Sequence, residues 1–133
     1  MSGLIFSLGT STRSAEEFLS LLKEHGIEVA VDVRRFPTSR RFPHFRKEEV
    51  KRYLKEAGIE YHYLGDRLGG YRQGGYEAYM ETEDFKTGLK MLEDLASKGR
   101  TAFFCCERLP WRCHRRFIAR RLQEQGWEVV HLL

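Results

Sequence analysis

Asparagine is absent from this chain, and cysteine and proline occur only three times each among its 133 residues. An odd, small number of cysteines argues against a disulfide framework and for a reducing compartment, so a cytoplasmic location is the expectation. Few thermolabile amides beside a charged content of 32% form a pattern met in heat-adapted proteins, which concerns the source and not the activity. Long hydrophobic runs are missing too. No apolar stretch approaches the roughly 20 residues that cross a bilayer, so no membrane partner is expected. The opening residues, Met1-Ser2-Gly3-Leu4-Ile5-Phe6-Ser7-Leu8, carry no basic leader and do not read as a signal peptide. No repeat, low-complexity tract or linker appears. One domain over 1–133 is therefore expected, with enough hydrophobic residues, 41%, to build its own core.

What is present is an alternation of short apolar runs and amphipathic stretches. Leu4–Leu8, Val29–Val33, Glu60–Leu64, Thr101–Cys106 and Trp127–Leu132 read as strands. Ser14 and Glu17 form a capping box ahead of a helix with Phe18, Leu21 and Leu22 on one stripe, and His25-Gly26 ends it. Further helices are predicted over Lys47–Ala57, Glu83–Ser97 and Cys113–Gln125. Gly65–Gly75, polar and glycine-rich, reads as an exposed loop. This order predicts an α/β fold, a three-layer, Rossmann-like α/β/α arrangement with a mainly parallel sheet of about five strands. In such a sheet the segments Gly9–Arg13, Arg34–Arg46 and Glu107–Arg115 share the carboxyl edge, where ligands bind.

Those three segments hold most of the chemistry. The net charge of +4 and a pI near 9.1 favour an anionic partner. Arg13, Arg34, Arg35, Arg40, Arg41, Arg108, Arg112, Arg115 and Arg116 all fall in or just after the edge segments. Guanidinium forks match phosphate oxygens bidentately, and helix N-termini add free N–H donors. Thr10, Ser11 and Thr12 could add hydroxyls to the same anion. The loop from Arg34 to Lys47 interleaves basic and aromatic residues, the pattern of a stacking platform for single strands or nucleotides, although some of its phenylalanines must pin the loop to the core.

Asp32, at the end of an apolar strand, needs partners if it is buried; it can serve as a base or metal ligand, or orient Arg13 or Arg34. Glu107 can act as a base, steer water, or hold Arg115. Cys113, beside Arg112, His114 and Arg115 at a helix N-terminus, has the surroundings of a thiol with a lowered pKa and thus of a nucleophile. A structural thiol, with Cys105 as a buried strand residue, is the plainer alternative. Zinc held by Cys105, Glu107, Cys113 and His114 is disfavoured, because the spacing matches no finger and the arginines repel a cation; no metal or cofactor is expected. Cys106 and Arg112 are spaced as in a cysteine-dependent phosphatase loop. Leu109, Pro110 and Trp111, however, occupy positions where a phosphate cradle calls for glycine.

Taken together, Gly9-Thr10-Ser11-Thr12-Arg13, Asp32-Val33-Arg34 with Pro37 and Ser39, Pro43-His44-Phe45, Leu68-Gly69-Gly70, and Cys105-x-Glu107 leading to Cys113-His114-Arg115 resemble the DUF488 family. The resemblance runs in order over nearly the whole chain. It implies a small α/β domain and points to Ser11, Thr12, Arg13, Asp32, Arg34, Cys105, Glu107, Cys113, His114 and Arg115 as the shared set, but no activity is established for the family. Thr10 stands where the family usually has His, and the family cysteine corresponds to Cys105, not Cys106.

Three functional expectations follow. The first is a phosphate-bearing ligand, nucleic acid or nucleotide, held by Ser11, Thr12, Arg13, Arg34, Arg35 and Arg115, with hydrolysis as an option and Asp32, Glu107, Cys113 and His114 as candidate catalytic residues. The second is a cysteine-dependent enzyme acting on a small anionic substrate with Cys113 as nucleophile. The third is a non-catalytic module, monomer or homodimer, that associates through an exposed Tyr71–Tyr79 surface.

Overall fold

A computed structural model describes residues 3–133; Met1 and Ser2, the first two of the opening residues quoted above, lie outside the described residues. Five strands form: β1 (Leu4–Gly9), β2 (Val29–Asp32), β3 (Glu60–Tyr63), β4 (Thr101–Cys105) and β5 (Glu128–Leu132). Every pairing is parallel, and the spatial order is β3-β2-β4-β1-β5. The strands whose sequences are apolar at nearly every position, β1, β2 and β4, take the three central places, as burial on both faces requires. Four longer helices connect them: α1 (Ala15–Glu24), α2 (Lys47–Glu56), α5 (Glu83–Lys98) and α6 (Arg115–Glu124), with two short ones, α3 (Gly65–Leu68) and α4 (Tyr76–Tyr79), between β3 and α5. The predicted capping box is present: the Ser14 side chain accepts from the Glu17 N–H, and the Glu17 carboxylate accepts from the Ser14 N–H.

The period-2 alternation of the strands divides the core in two. Phe6, Leu8, Ala30, Ala102 and Phe104 face α1 and α2, meeting Phe18, Leu22, Val50 and Leu54. Ile5, Val29, Val31 and Phe103 face α5 and α6, meeting Phe85, Leu89, Leu92, Ile118 and Leu122. The result is a three-layer, Rossmann-like α/β/α fold. After β1 and β2 the chain turns to the α1/α2 face; after β4 it turns to the other. The carboxyl end of β4 is thus flanked on both sides by strands whose connections leave the opposite way, which opens a crevice on each side of it. No described helix is long and apolar enough to cross a membrane.

The segment read as an exposed loop, Gly65–Gly75, is half inside the protein. Gly65, Leu68, Gly69 and Gly70 are buried. The glycines serve close approach: a Cβ on Gly65 would sit 1.9 Å from the Arg34 carbonyl oxygen. Tyr76 and Tyr79 also turn inward, their hydroxyls donating to the main-chain oxygens of Leu68 and Arg67. Of the expected tyrosine surface, Tyr71 alone stands fully out, 85% exposed.

Candidate active site at the end of the central strand

β4 ends at Cys105 and α6 starts at Arg115, so the intervening turn carries Cys106, Glu107, Cys113 and His114 over the sheet edge. The turn passes so close to β1 that a Cβ on Gly9 would lie 1.9 Å from the Glu107 carbonyl oxygen. Cys113 Sγ lies 2.8 Å from Cys105 Sγ and 3.4 Å from His114 Nδ1, and the Arg115 N–H reaches it at 3.5 Å. His114 Nε2 is 3.0 Å from the Val33 carbonyl oxygen. A carbonyl only accepts, so Nε2 carries a proton, and Nδ1 is the nitrogen turned towards the Cys113 sulfur, placed to take up the thiol proton and donate it back as a hydrogen bond to the thiolate. Gly70 leaves room for this ring, since a Cβ there would come within 3.1 Å of Nδ1.

These contacts separate the two thiols. The hydrogen bond from Cys105 lowers the pKa of Cys113 far below the ordinary thiol range; burial opposes this, and His114 and the Arg115 N–H add to the lowering. Cys105 moves the opposite way, pushed up by its burial and by the neighbouring Cys113. The two shifts favour placing the pair's negative charge on Cys113, with Cys105 as the donor.

The arginines fall into two groups. Arg34 is buried and grips Asp32, its Nε donating to Oδ1 at 2.9 Å and Nη2 to Oδ2 at 2.8 Å, while Nη1 donates to the Phe45 carbonyl. Burial works against the guanidinium charge, but the Asp32 contacts more than offset it and raise the Arg34 pKa. The Tyr61 hydroxyl also donates to Asp32 Oδ2, at 2.7 Å. Asp32 is itself fully buried and orients Arg34.

Arg115 is also fully buried. It donates from Nε to Cys105 Sγ at 3.1 Å, from Nη1 to Ser7 Oγ at 2.7 Å, and from Nη2 to the Glu107 and Arg108 carbonyls at 2.6 and 3.1 Å. No carboxylate pairs with it among the described residues. Ser7 in turn contacts His131 Nδ1 at 2.7 Å; burial and then the Arg115 charge lower the His131 pKa. Arg13 donates to the main-chain oxygens of Gly9 and Leu133. Arg115 thus lies beneath the cysteines, and Arg13 is drawn towards the chain end.

Two cavities open beside β4. The larger, about 720 Å³, lies between the Arg34–Ser39 loop and the α6 turn, and its wall includes Arg35, Arg112, Cys106, Glu107, Cys113 and His114. The smaller, about 220 Å³, lies under Thr10, Ser11 and Thr12 and shares Arg34, Ser39 and Cys106 with the first. Only Ser11 and Tyr71 among the described non-glycine residues have positive φ, at 49° and 60°, and each borders one of the two cavities. Strained backbone of this kind gathers at functional sites. No group of three or more His, Cys, Asp or Glu placed to hold a metal ion occurs among the described residues.

Residues 14–122 match the family described as domain of unknown function DUF488. The chain belongs to the DUF488 family. No curated protein and no solved structure matches it.

The DUF488 motif residues are brought together by this geometry, in two tiers. Cys105, Glu107, Cys113 and His114 line the larger cavity, Ser11 and Thr12 the smaller and Arg34 both, while Asp32 and Arg115 are buried behind them and the half-buried Arg13 lies outside both linings. Arg35, whose Nη1 donates to the Tyr71 carbonyl at 2.6 Å, reaches the larger cavity as anticipated. Arg112, which the sequence marks as an edge arginine and by its spacing from Cys106 but not as a ligand-binding residue, borders the cavity with no ion pair among the described residues. The Val33 carbonyl that orients His114 has no sequence signal, because any residue supplies one.

Proposed function

We propose that this DUF488 protein is a cysteine-dependent enzyme acting on a small anionic substrate, with Cys113 as nucleophile and His114 as its proton acceptor. The observation that carries this reading is the His114 ring, held by the Val33 carbonyl with its Nδ1 3.4 Å from Cys113 Sγ. A nucleophile beside a base that a third group orients is the recurring layout of covalent catalysis.

Two further features support a resting thiolate. A fully buried guanidinium without a carboxylate is costly unless some anion compensates it. The Cys105–Cys113 pair is the group in contact with Arg115 able to carry that charge. The N-terminus of α6 makes the same demand. α1, α2 and α5 each place two acidic residues in their first turn, while α6 places none there and begins with Arg115 and Arg116. A thiolate just ahead of α6 offsets the positive end of the helix dipole.

In this reading Arg35 and Arg112 hold the anionic group of a substrate of phosphate-bearing, nucleotide-like size in the larger cavity. The Cys113 sulfur forms a bond to the electrophilic centre, the leaving group departs with the bonding pair, and His114 Nδ1 returns the thiol proton to it. Glu107, on the same wall, takes the proton from the water that releases the product. Iodoacetamide labelling of Cys113 across a pH series tests the scheme. Rapid labelling well below the free-thiol value of about 8.5, slowed by added phosphate or nucleotide, is expected. Labelling with an ordinary thiol profile would sink it.

Nucleic-acid binding is a second reading, favoured by one surface feature. Phe36, 65% exposed, and Tyr71 stand 6.2 Å apart at the cavity mouth, with the Arg35 guanidinium over the Phe36 ring and Arg40 and Arg41 exposed nearby. Aromatic faces beside cations suit stacked bases. Fluorescence anisotropy with labelled RNA and DNA in a salt series would then show affinity falling steeply with salt. No binding at low salt would confine the site to small anions.

A further inference from the structure

Nothing in a nucleophilic mechanism requires a second cysteine, yet one is packed against the first. Cys105 Sγ and Cys113 Sγ are 2.8 Å apart, closer than any non-bonded sulfur packing needs, and only a small approach separates them from the ~2.05 Å of a disulfide. The two sulfurs reach one another from opposite ends of the β4–α6 turn, eight positions apart in the chain. Cys113 borders the larger cavity and is partly accessible; Cys105 is 1% exposed and shielded from other proteins. Cys106, exposed and next in sequence, makes no hydrogen bond to either sulfur among the described residues and lines both cavities.

We infer that Cys113 and Cys105 form a redox-active dithiol, in which Cys113 is the site oxidised by a hydroperoxide and Cys105 is the resolving thiol. This rests on Cys113 being the reactive cysteine, though not on any particular substrate. The Cys113 thiolate attacks the distal peroxide oxygen, the O–O bond breaks, and the alkoxide or hydroxide leaves with the electron pair and takes up a proton. Cys113 becomes a sulfenic acid. The Cys105 sulfur then attacks the Cys113 sulfur, the S–O bond breaks, and water leaves with the Cys105 proton. Two thiols are oxidised by two electrons and the peroxide is reduced by two.

Arg115 Nε, 3.1 Å from Cys105 Sγ, stabilises the developing thiolate in that second step, and the Glu107 carbonyl, 3.7 Å away, accepts a hydrogen bond from the Cys105 S–H until its proton leaves with the water. A low-pKa thiol facing a cavity with a resolving partner behind it is the layout that redox-sensing cysteines share. Closure ties residues 106–112 to the end of β4 and removes the nucleophile from the cavity. Oxidation therefore silences Cys113 reversibly, and a thiol reductant restores it.

The test uses the reduced full-length protein carrying Cys106→Ser, so that only the pair can respond. Hydrogen peroxide is expected to remove both remaining thiols, to give a Cys105–Cys113 cross-linked peptide on digestion, and to abolish iodoacetamide labelling of Cys113 until dithiothreitol is added. In Cys105→Ser the same treatment is expected to leave a Cys113 sulfenic acid that dimedone traps. Cys105→Ala serves as the second variant should the serine disturb packing, and wild-type peptide mapping needs neither. A stable Cys113 sulfenic acid in the presence of Cys105, or a disulfide through Cys106 in the wild type, overturns the dithiol while leaving the nucleophile reading intact. A Cys113 inert to both iodoacetamide and peroxide overturns both.

Discussion

Replacing Arg115 by methionine should damage both the fold and the reactivity of the site, in two separable ways. Methionine retains the unbranched stem but removes the guanidinium. Four hydrogen bonds go with it, to Cys105 Sγ, Ser7 Oγ and the carbonyls of Glu107 and Arg108. Ser7 keeps its contact with His131, but the two part-buried carbonyls lose the donor that a fully buried side chain supplied. Breaking a buried charge arrangement by removing one partner costs about 3–5 kcal/mol, a large share of the ~5–15 kcal/mol that holds a domain folded. With a urea slope near 2 kcal/mol per molar, the unfolding midpoint should fall by about 2 M. The second effect is on the thiols. Without the cation the shared negative charge is less favoured, so the labelling profile of Cys113 moves to higher pH. Arg115→Lys restores a positive charge without the fork, and should recover more of the thiol profile than of the stability. A midpoint shift below about 0.5 M together with an unchanged labelling profile would refute the role assigned to this arginine.

Other expectations concern its neighbours. His114→Ala removes the Nδ1 contact and the ring charge that help lower the Cys113 pKa, so alkylation should require higher pH while the fold survives; an unchanged profile would remove His114 from the scheme. Asp32→Asn leaves the buried Arg34 without a counter-charge and should cost about 3–5 kcal/mol in denaturant unfolding. Gly9→Ala drives a methyl into the Glu107 carbonyl and should cost at least the ~1–3 kcal/mol of an overpacked core, lowering the melting temperature. The two thiols should also leave opposite marks on stability against pH. Cys113, depressed in the fold, binds fewer protons than when unfolded, so stability rises with pH from its low folded value up to the ordinary thiol range and is lost as pH falls through that folded value. Cys105, raised, favours the unfolded chain above that range, so stability should turn down again there. Cys113→Ser should flatten the rise, which a urea series at several pH values would reveal.

Much of the fold was legible because strand and helix signals were strong. The buried runs at Val29–Val33 and Thr101–Cys106 and the capping box at Ser14 lie within a residue or so of the observed elements. The order of strands was not legible, since nothing local tells β4 to insert between β1 and β2. The glycines at 65, 69 and 70 misled in an instructive way. Their density reads as a loop by composition, but each is there for the space a missing Cβ leaves beside Arg34, Arg35 or His114. The site was legible in membership more than in layering. Sequence places Arg13, Arg34 and Arg115 at one edge, but whether a guanidinium points at solvent or turns back to grip Asp32, two positions away, or Cys105, ten away, depends on the packing that buries it.

The placement of β4 has a consequence for how this domain could diversify. The wall carrying Cys105, Cys113 and His114 grows from the middle strand of the sheet, pinned by neighbours on both sides and by Arg115 below. The facing wall, from Arg35 to Ser39 and at Tyr71, comes from stretches without regular structure. In the proposed reading, reactivity and selectivity thereby belong to separate parts of the molecule. Exchanging residues 35–39 or 71 would alter what is admitted while leaving the chemistry that awaits it unchanged, so a single scaffold can serve many clients through its outer rim alone.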